Sequence, residues 1–330
     1  MATAEQIKAL IRSHLSDDSE RFFTLALQVA AHEAKQGHGP LAHEIRELVD
    51  RARSERKRRS NQALPADLDA LVQADLPGVP MSALVLPTPL LDRIHRIVHE
   101  YRQRDKLRLH ALQHRRKVLL TGPPGTGKTL TARVLAHELR LPLFTVQADR
   151  LVNKFMGETS ARLRQLFEMI RDREGVYLFD EFDALGAGRT RDNDVGEMRR
   201  VLTALLQFIE GDSSDSIIIA STNSPELLDR ALFRRFDDIL RYGLPGTGER
   251  KRLIANTLGT FTSKRFGWKL ALVESKGLSS AEIVEACRDA LKEAVLHDKN
   301  SVTAADLVRP MRERCHGTGG HGPSNPTPSP

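Results

Sequence analysis

Apolar positions follow two different patterns along the chain. Over residues 4–52 they recur at the spacing of an amphipathic helix, with a break at residues 35–40, where glycine and proline interrupt the pattern. We therefore expect a small helical module over residues 1–52. Residues 53–83 carry charge and several prolines but little periodicity, so we expect a basic linker there.

From about residue 84, short apolar runs rich in β-branched residues alternate with helical patterns. The predicted strands cover residues 116–121, 143–148, 176–180, 217–222 and 238–243. The predicted helices between them cover residues 129–140, 159–172 and 197–210. Strands that alternate with helices predict an α/β fold with a parallel sheet covered by helices. We expect this subdomain to extend over residues 84–245.

The C-terminal part returns to a helical pattern and then loses it. Residues 246–312 predict a helical subdomain, in which Ile283, Cys287 and Leu291 share one face. Residues 313–330 are rich in glycine, proline and serine, a composition typical of a disordered tail.

Composition excludes few classes of protein. Two cysteines, Cys287 and Cys315, are too few for a disulfide framework. No run approaches the roughly 18 apolar residues that span a bilayer, and the chain starts without the pattern of a signal peptide. We therefore expect a soluble, cytoplasmic protein that makes no membrane contact.

The net charge is +7, and its densest basic segment is "RARSERKRRS", residues 51–60. Such a segment is typical either of contact with nucleic acid or an acidic partner, or of a solvated helix end and linker. No aromatic residue interleaves with the charges as a stacking platform for bases, which favours the second interpretation.

The stretch "GPPGTGKT", residues 122–129, carries the clearest chemistry. It fits the phosphate-binding pattern G-x-x-x-x-G-K-[ST] and lies between a predicted strand and a predicted helix. Glycine lets backbone N–H groups approach phosphates, and the helix adds its positive N-terminal end. We expect Lys128 to reach the β- and γ-phosphates and the Thr129 hydroxyl to bind Mg²⁺. The expected nucleotide-binding residues of this region are Gly122, Pro123, Pro124, Gly125, Thr126, Gly127, Lys128, Thr129 and Leu130.

The stretch "VYLFDEFD" supplies acidic groups at the end of another predicted strand. A carboxylate at a buried strand end is costly unless it is paired or meets a metal, so Asp180 is a candidate Mg²⁺ ligand and nucleotide contact. Glu181 follows it and is a candidate to polarise the attacking water. The alternative is an acidic strand end at an ordinary loop.

The stretch "IIIASTNSPELLDRALFRRFD" places polar groups after a third strand. Asn223 lies at the strand tip, where its amide is a candidate to orient water. Arg234 and Arg235 are candidates for an arginine that reaches a neighbouring subunit's γ-phosphate. Taken alone, such a pair is more often part of a surface salt bridge.

These stretches, together with "LFDEFDALG" and "GLSSAEI", resemble the motifs of AAA-family ATPases in order and spacing, over about residues 84–310. The resemblance implies a five-stranded parallel sheet with a helical lid, ring-shaped hexamers, and ATP bound between subunits. It implies that Arg234 and Arg235 act in trans and that Val85 and Leu86 lie near the adenine. The lid residues implied to lie at the nucleotide are Gly277, Ser279 and Ala281.

Two motifs depart from the family pattern. The family usually reads L-R-P-G-R-F-D, whereas "LFRRFD" lacks the Pro-Gly, so Arg234 and Arg235 both remain candidates for the finger. In the lid, Ser280 replaces a glycine and Glu282 an aspartate.

One loop bears on what the hydrolysis drives. In the family, the loop after the second strand projects an aromatic and apolar pair into a central pore, and Lys154, Phe155, Met156 and Gly157 fit that position. Phe155 and Met156 would grip an extended polypeptide without reading its sequence. The alternative is that Phe155 is a core residue. A second loop, residues 186–196, is a candidate to line the pore lower down.

The leading hypothesis is therefore an ATP-driven unfoldase or remodeller of protein substrates. One alternative is a nucleotide-dependent switch or remodeller on nucleic acid, which uses the basic segment. Another is a scaffold whose ring assembles on ATP and translocates nothing. Salt dependence of binding would mark the nucleic-acid alternative.

No protease motif accompanies the ATPase motifs, since neither H-E-x-x-H nor G-x-S-x-G occurs. His95 and His99 have metal-ligand spacing on a helix, but no third ligand is evident, which favours solvent-facing or packing roles. The N-terminal module resembles that of bacterial AAA ATPases associated with subtilisin-like proteases, some in anti-phage defence pairs. That resemblance implies a separate protease partner and a module that recruits substrate or partner.

Overall fold

The computed structural model describes residues 19–61, 71–147, 159–182, 192–227, 230–263 and 265–317, together with Lys8 and Leu68. The chain divides into two compact units, Met1–Ala66 and Asp67–Pro330. Among the described residues, no helix combines the length and the apolar character needed to cross a bilayer.

In the described part of the first unit, helix α1 (Ser19–Lys35) packs against helix α2 (Gly39–Asn61). Its small core is formed by Phe23, Ala26 and Val49, against which Leu27 and Ile45 pack. The predicted break at residues 35–40 is confirmed, because a turn at residues 36–38 separates the helices. The basic segment 51–60 lies on the C-terminal part of α2.

The second unit is built on a six-stranded sheet in the order β1-β3-β4-β5-β2-β6. The strands are β1 (Val72–Asp75), β2 (Lys117–Thr121), β3 (Leu143–Gln147), β4 (Val176–Asp180), β5 (Ile217–Thr222) and β6 (Asp238–Arg241). Strands β2 to β6 pair in parallel, which confirms the α/β prediction. The central strands are buried from end to end because helices cover both faces.

The described part of residues 53–83, for which we expected a linker, contains regular structure. Helix α2 continues to Asn61, β1 pairs antiparallel with β3, and Met81–Ala83 forms a 3₁₀ turn. Leu68, Leu71 and Val72 are almost fully buried. These three residues belong to the second unit, and they are too few to produce a periodic pattern.

Several helices accompany the sheet of the second unit. They are α3 (Thr88–Arg102), α4 (Arg104–Leu109), α5 (Lys128–Leu139), α6 (Thr159–Asp172), α7 (Asp192–Gly211) and α8 (Arg230–Phe233). Helix α5 packs on α3 and carries apolar residues into the sheet core, where Ile94, Leu135 and Leu178 are fully buried.

The C-terminal lid has a separate hydrophobic core. Its helices are α9 (Thr247–Leu258), α10 (Trp268–Glu274), α11 (Ser280–Leu296) and α12 (Ala304–Gly317). Ile254, Ile283, Cys287 and Leu307 are buried in that core. Burial raises the pKa of the Cys287 thiol to about 12.

The predicted tail, residues 313–330, was placed too early in the chain, because its first residues are helical. Helix α12 continues to Gly317, and Arg314 within it donates to Asp289 Oδ2 of α11 at 2.6 Å. This ion pair holds the last turns of α12 against α11. Residues 318–330 lie outside the described residues.

Candidate nucleotide site

The predicted phosphate, acidic and amide groups converge at one edge of the sheet. The phosphate loop follows β2, Asp180 ends β4, and Asn223 follows β5. These three strands are adjacent and parallel, so their carboxyl ends meet at the same edge. Residues that are far apart in sequence are thus brought into hydrogen-bond contact.

The phosphate loop, Gly122–Gly127, connects β2 to the N-terminus of α5. Gly122 and Gly127 have φ values of +143° and +105°, which favour glycine over other residues. The Thr126 hydroxyl is buried and donates to the Pro123 carbonyl oxygen at 2.7 Å. Pro123, Pro124 and Gly125 are exposed, so this side of the loop is open to solvent.

Lys128 opens α5 and is folded onto the loop. Its Nζ donates to the carbonyl oxygens of Gly122 at 2.7 Å and Pro123 at 2.8 Å. It also donates to Asn223 Oδ1 at 2.8 Å, so the lysine and the amide predicted from separate motifs are in direct contact. The acceptors around this buried ammonium are oxygens, the same kind of partner that phosphates offer.

Asp180 is the centre of a second set of contacts. Its Oδ2 accepts a hydrogen bond from Thr129 Oγ1 at 2.9 Å. Its Oδ1 accepts from the Ser221 hydroxyl and from the backbone N–H of Glu181, the latter at 3.1 Å. Sequence reasoning paired Thr129 with Asp180 but missed Ser221, whose only signal was a polar residue within an apolar strand.

Glu181 lies directly beyond this cluster with its side chain exposed. Its φ of +51° is in the left-handed region, which is costly for a residue with a side chain. Such strain persists where the surroundings over-determine the backbone, and it is concentrated at functional sites. The geometry turns the chain sharply at the end of β4.

The two arginines differ in environment. Arg234 is exposed, whereas Arg235 is half-buried, with a guanidinium nitrogen 3.6 Å from Glu210 Oε2. The turn that carries both is fixed by Asp237, whose Oδ2 accepts the backbone N–H groups of Arg116 and Lys117, each at 2.9 Å. Sequence reasoning also missed this role of Asp237.

The lid contacts the phosphate loop directly. The backbone N–H of Ala281 donates to the Gly125 carbonyl oxygen at 2.9 Å. Ser279 caps helix α11 through a reciprocal pair of hydrogen bonds with Glu282, so the departure from the family's aspartate still gives a capping box. Gly277, with a φ of +87°, turns the chain into that cap.

Val85 and Leu86 lie between the sheet core and the lid. Leu86 packs into the sheet core, whereas Val85 belongs to the lid core. Arg252 of α9 donates to the Leu86 carbonyl oxygen at 2.8 Å and so joins the lid to this segment. Leu130 is half-buried against the sheet core.

Other predicted site residues are not tested by the geometry. Lys154, Phe155, Met156 and Gly157 lie outside the described residues, as does most of the second candidate loop at residues 186–196. His95 and His99 are both exposed on α3. Among the described residues, no group of three or more metal-ligating side chains occurs.

Comparison of the sequence with known proteins identifies the family to which the chain belongs. The model of the ATPase family associated with various cellular activities (AAA) matches residues 118–244. The uncharacterized AAA family ATPase y4kL of Sinorhizobium fredii is 33% identical over 323 residues, which cover 95% of this chain and 96% of that protein. The chain belongs to the AAA family of ATPases. It therefore binds ATP and hydrolyses it.

Other AAA relatives match a shorter part of the chain. Proteasome-activating nucleotidases of Methanothermobacter thermautotrophicus and Methanopyrus kandleri are 35% and 37% identical, over 58% of this chain in each case. The match spans about half the length of these relatives, 48% and 46%. The fold is similar to the crystal structure of the FIGL-1 AAA domain, with a TM-score of 0.61, 23% identity, and coverage of 76% of this chain and 90% of that one.

Proposed function

We propose that this AAA ATPase forms a ring and couples ATP hydrolysis to the remodelling or unfolding of protein substrates. The observation that carries the hydrolytic part is the convergence of Lys128, Thr129, Asp180 and Asn223 through direct hydrogen bonds. The step to protein remodelling is supported by the relatives named proteasome-activating nucleotidases.

In this proposal the phosphate loop and Lys128 bind the triphosphate. The β- and γ-phosphate oxygens replace the Gly122 and Pro123 carbonyls and the Asn223 amide as partners of Nζ. That exchange releases the Asn223 amide, which then orients the attacking water. The segment that contains Val85 and Leu86 lies near the adenine, and Gly277, Ser279 and Ala281 of the lid lie beside the ribose.

Thr129 and Asp180 are the residues that would hold Mg²⁺. Their hydroxyl and carboxylate oxygens are already neighbours, and oxygen donors are the ligands that this ion prefers. When bound, the ion neutralises charge on the β- and γ-phosphates.

Glu181 is proposed as the general base. As the water oxygen bonds to the γ-phosphorus and the bond to the β–γ bridging oxygen breaks, the Glu181 carboxylate accepts the proton from water. Its side chain is exposed at the end of β4, where a water can reach it.

We favour Arg234 as the finger that reaches the γ-phosphate of a neighbouring subunit. Arg234 is exposed, whereas Arg235 is partly buried beside Glu210, so Arg235 is better placed to anchor the turn. Asp237 keeps the turn attached to the start of β2. This difference in environment supports Arg234 over Arg235 as the finger.

The substrate loop is proposed at Lys154, Phe155, Met156 and Gly157, which follow β3. The subtilisin-like protease partner, the anti-phage setting and a recruiting role for the N-terminal module stay predictions from resemblance. Because α2 continues to Asn61, a deletion that tests the module should end within residues 62–66 rather than at residue 52.

The test is ATP-dependent unfolding of a fluorescent protein that carries an unstructured tail. We expect the wild type to abolish fluorescence with ATP, and Glu181→Gln to bind ATP without unfolding. Phe155→Ala should keep ATPase activity and lose unfolding, whereas the matched control Phe155→Tyr keeps both. Unfolding by Phe155→Ala at the wild-type rate would reject the pore-loop assignment.

A further inference from the structure

Ser221 occupies an unusual place for a hydroxyl. It is the fifth residue of β5, it follows the apolar run Ile217–Ala220, and only 1% of it is exposed. A buried hydroxyl without a partner is costly, so it must find an acceptor. The acceptor that it reaches is the carboxylate of Asp180 on the neighbouring strand.

The strand register explains this contact. Strands β4 and β5 pair in parallel up to Phe179 and Ala220, so the next positions along each strand are Asp180 and Ser221. The two side chains therefore meet at the edge of the sheet where the phosphate loop begins. The hydroxyl is fixed by a central strand rather than by a loop.

The two oxygens of Asp180 are divided between different partners. Oδ1 accepts from Ser221 and from the Glu181 N–H, while Oδ2 accepts from Thr129 Oγ1. Rotation of the carboxylate would disturb the hydrogen bonds of both oxygens at once. Ser221 thus helps to keep Oδ2 directed at Thr129.

We propose that Ser221 is a positioning residue for Mg²⁺-dependent nucleotide binding. By donating to Oδ1 of Asp180, it orients the carboxylate whose other oxygen faces Thr129. The inference rests on the proposed metal role of Thr129 and Asp180. It adds a residue from β5, outside both of the motifs that point to the metal.

The expected change in Mg²⁺ affinity on loss of the Ser221 hydroxyl follows from the behaviour of groups that orient metal ligands. Loss of such an outer partner typically lowers metal affinity about 10–100-fold. Glu181 still donates its N–H to Oδ1 in a Ser221→Ala variant, so we expect the lower end, about tenfold. Nucleotide binding without Mg²⁺ should not change, because Ser221 contacts the carboxylate rather than the phosphate loop.

The experiment measures equilibrium binding of a fluorescent ADP analogue to the full chain, with Mg²⁺ titrated and with EDTA. ADP is used so that hydrolysis does not enter the result. Ser221→Ala is compared with Ser221→Thr, which keeps the hydroxyl. The matched control is Ser216→Ala, because Ser216 is also buried and donates to backbone carbonyls of Ile170 and Arg173, away from Asp180.

We expect Ser221→Ala to need about ten times more Mg²⁺ for half-maximal binding and to match the wild type in EDTA. Ser221→Thr and Ser216→Ala should keep the wild-type Mg²⁺ dependence, and thermal unfolding verifies that every variant is folded. An unchanged Mg²⁺ requirement in folded Ser221→Ala, or an equal loss of binding with and without Mg²⁺, would overturn the inference alone. Wild-type affinity that does not respond to Mg²⁺ would overturn the proposed metal role as well.

Discussion

Gly122 lies where β2 passes into the phosphate loop, and the surrounding backbone leaves no room for a side chain. A Cβ at this position would overlap the Tyr242 carbonyl oxygen and lie 2.9 Å from the carbonyl carbon. The N–H of Tyr242 donates to the Thr121 carbonyl oxygen at 2.7 Å, so this backbone cannot retreat without loss of pairing between β2 and β6. We therefore expect Gly122→Ala to be strongly destabilising.

The expected loss in free energy of unfolding for Gly122→Ala has two parts. The φ of +143° costs a residue with a Cβ about 1–3 kcal/mol, and forcing an atom into a packed site costs about another 1–3 kcal/mol. Gly127→Ala separates them, because its φ is +105° but no described atom lies within 4 Å of its Cβ. It should show the strain alone, about 1–3 kcal/mol.

Urea unfolding without nucleotide is the suitable assay, since both substitutions also alter phosphate binding. We expect Gly122→Ala to lose about 1–3 kcal/mol more free energy of unfolding than Gly127→Ala. The contact with the Tyr242 backbone is refuted if the two losses are equal or if Gly127→Ala is the less stable variant.

Two further predictions concern the arginine turn and a buried histidine. Arg234→Ala should lower ATPase turnover by roughly 10³-fold with little change in ATP binding, whereas Arg235→Ala should mainly lower stability; the reverse pattern would exchange their roles. Burial lowers the pKa of His114, so the unfolded chain takes up a proton first as pH falls below about 6.5. The contribution of neutral His114 to folding stability is therefore fully present above about pH 6.5 and declines below it. The decline, measured by urea unfolding from pH 7.5 to 5.5, should shrink in His114→Gln but not in a variant of the exposed His99.

The site residues that follow central strands could be predicted from the sequence, whereas side-chain contacts between neighbouring strands could not. Asp180 ends a strand, Asn223 follows one, and Lys128 follows the loop after another, all in recognisable patterns, so their convergence follows from the parallel sheet. The bond between Ser221 and Asp180 depends on the register of two strands, which local patterns do not specify. Arg252 likewise belongs to no motif, and only the packing of the lid brings it to Leu86.

Edge and terminal segments were predicted least well, because their stabilisation comes from partners elsewhere in the chain. Strand β1 has only Val72 buried and three exposed residues, so it lacks the alternation that marks a strand. Its pairing with β3 supplies the stabilisation that its own sequence does not indicate. The C-terminal extension of α12 similarly depends on the partner Asp289 rather than on composition.

The proposed function requires that ATP hydrolysis at this site acts on protein substrates. The most direct measurement is the ATPase rate of the wild type and of Glu181→Gln with excess casein or with linear DNA. We expect casein to raise the wild-type rate and DNA not to raise it, and we expect Glu181→Gln to bind ATP with turnover at least about 100-fold lower. Stimulation by DNA alone would contradict the proposed action on proteins and make the basic segment, residues 51–60, the site to mutate.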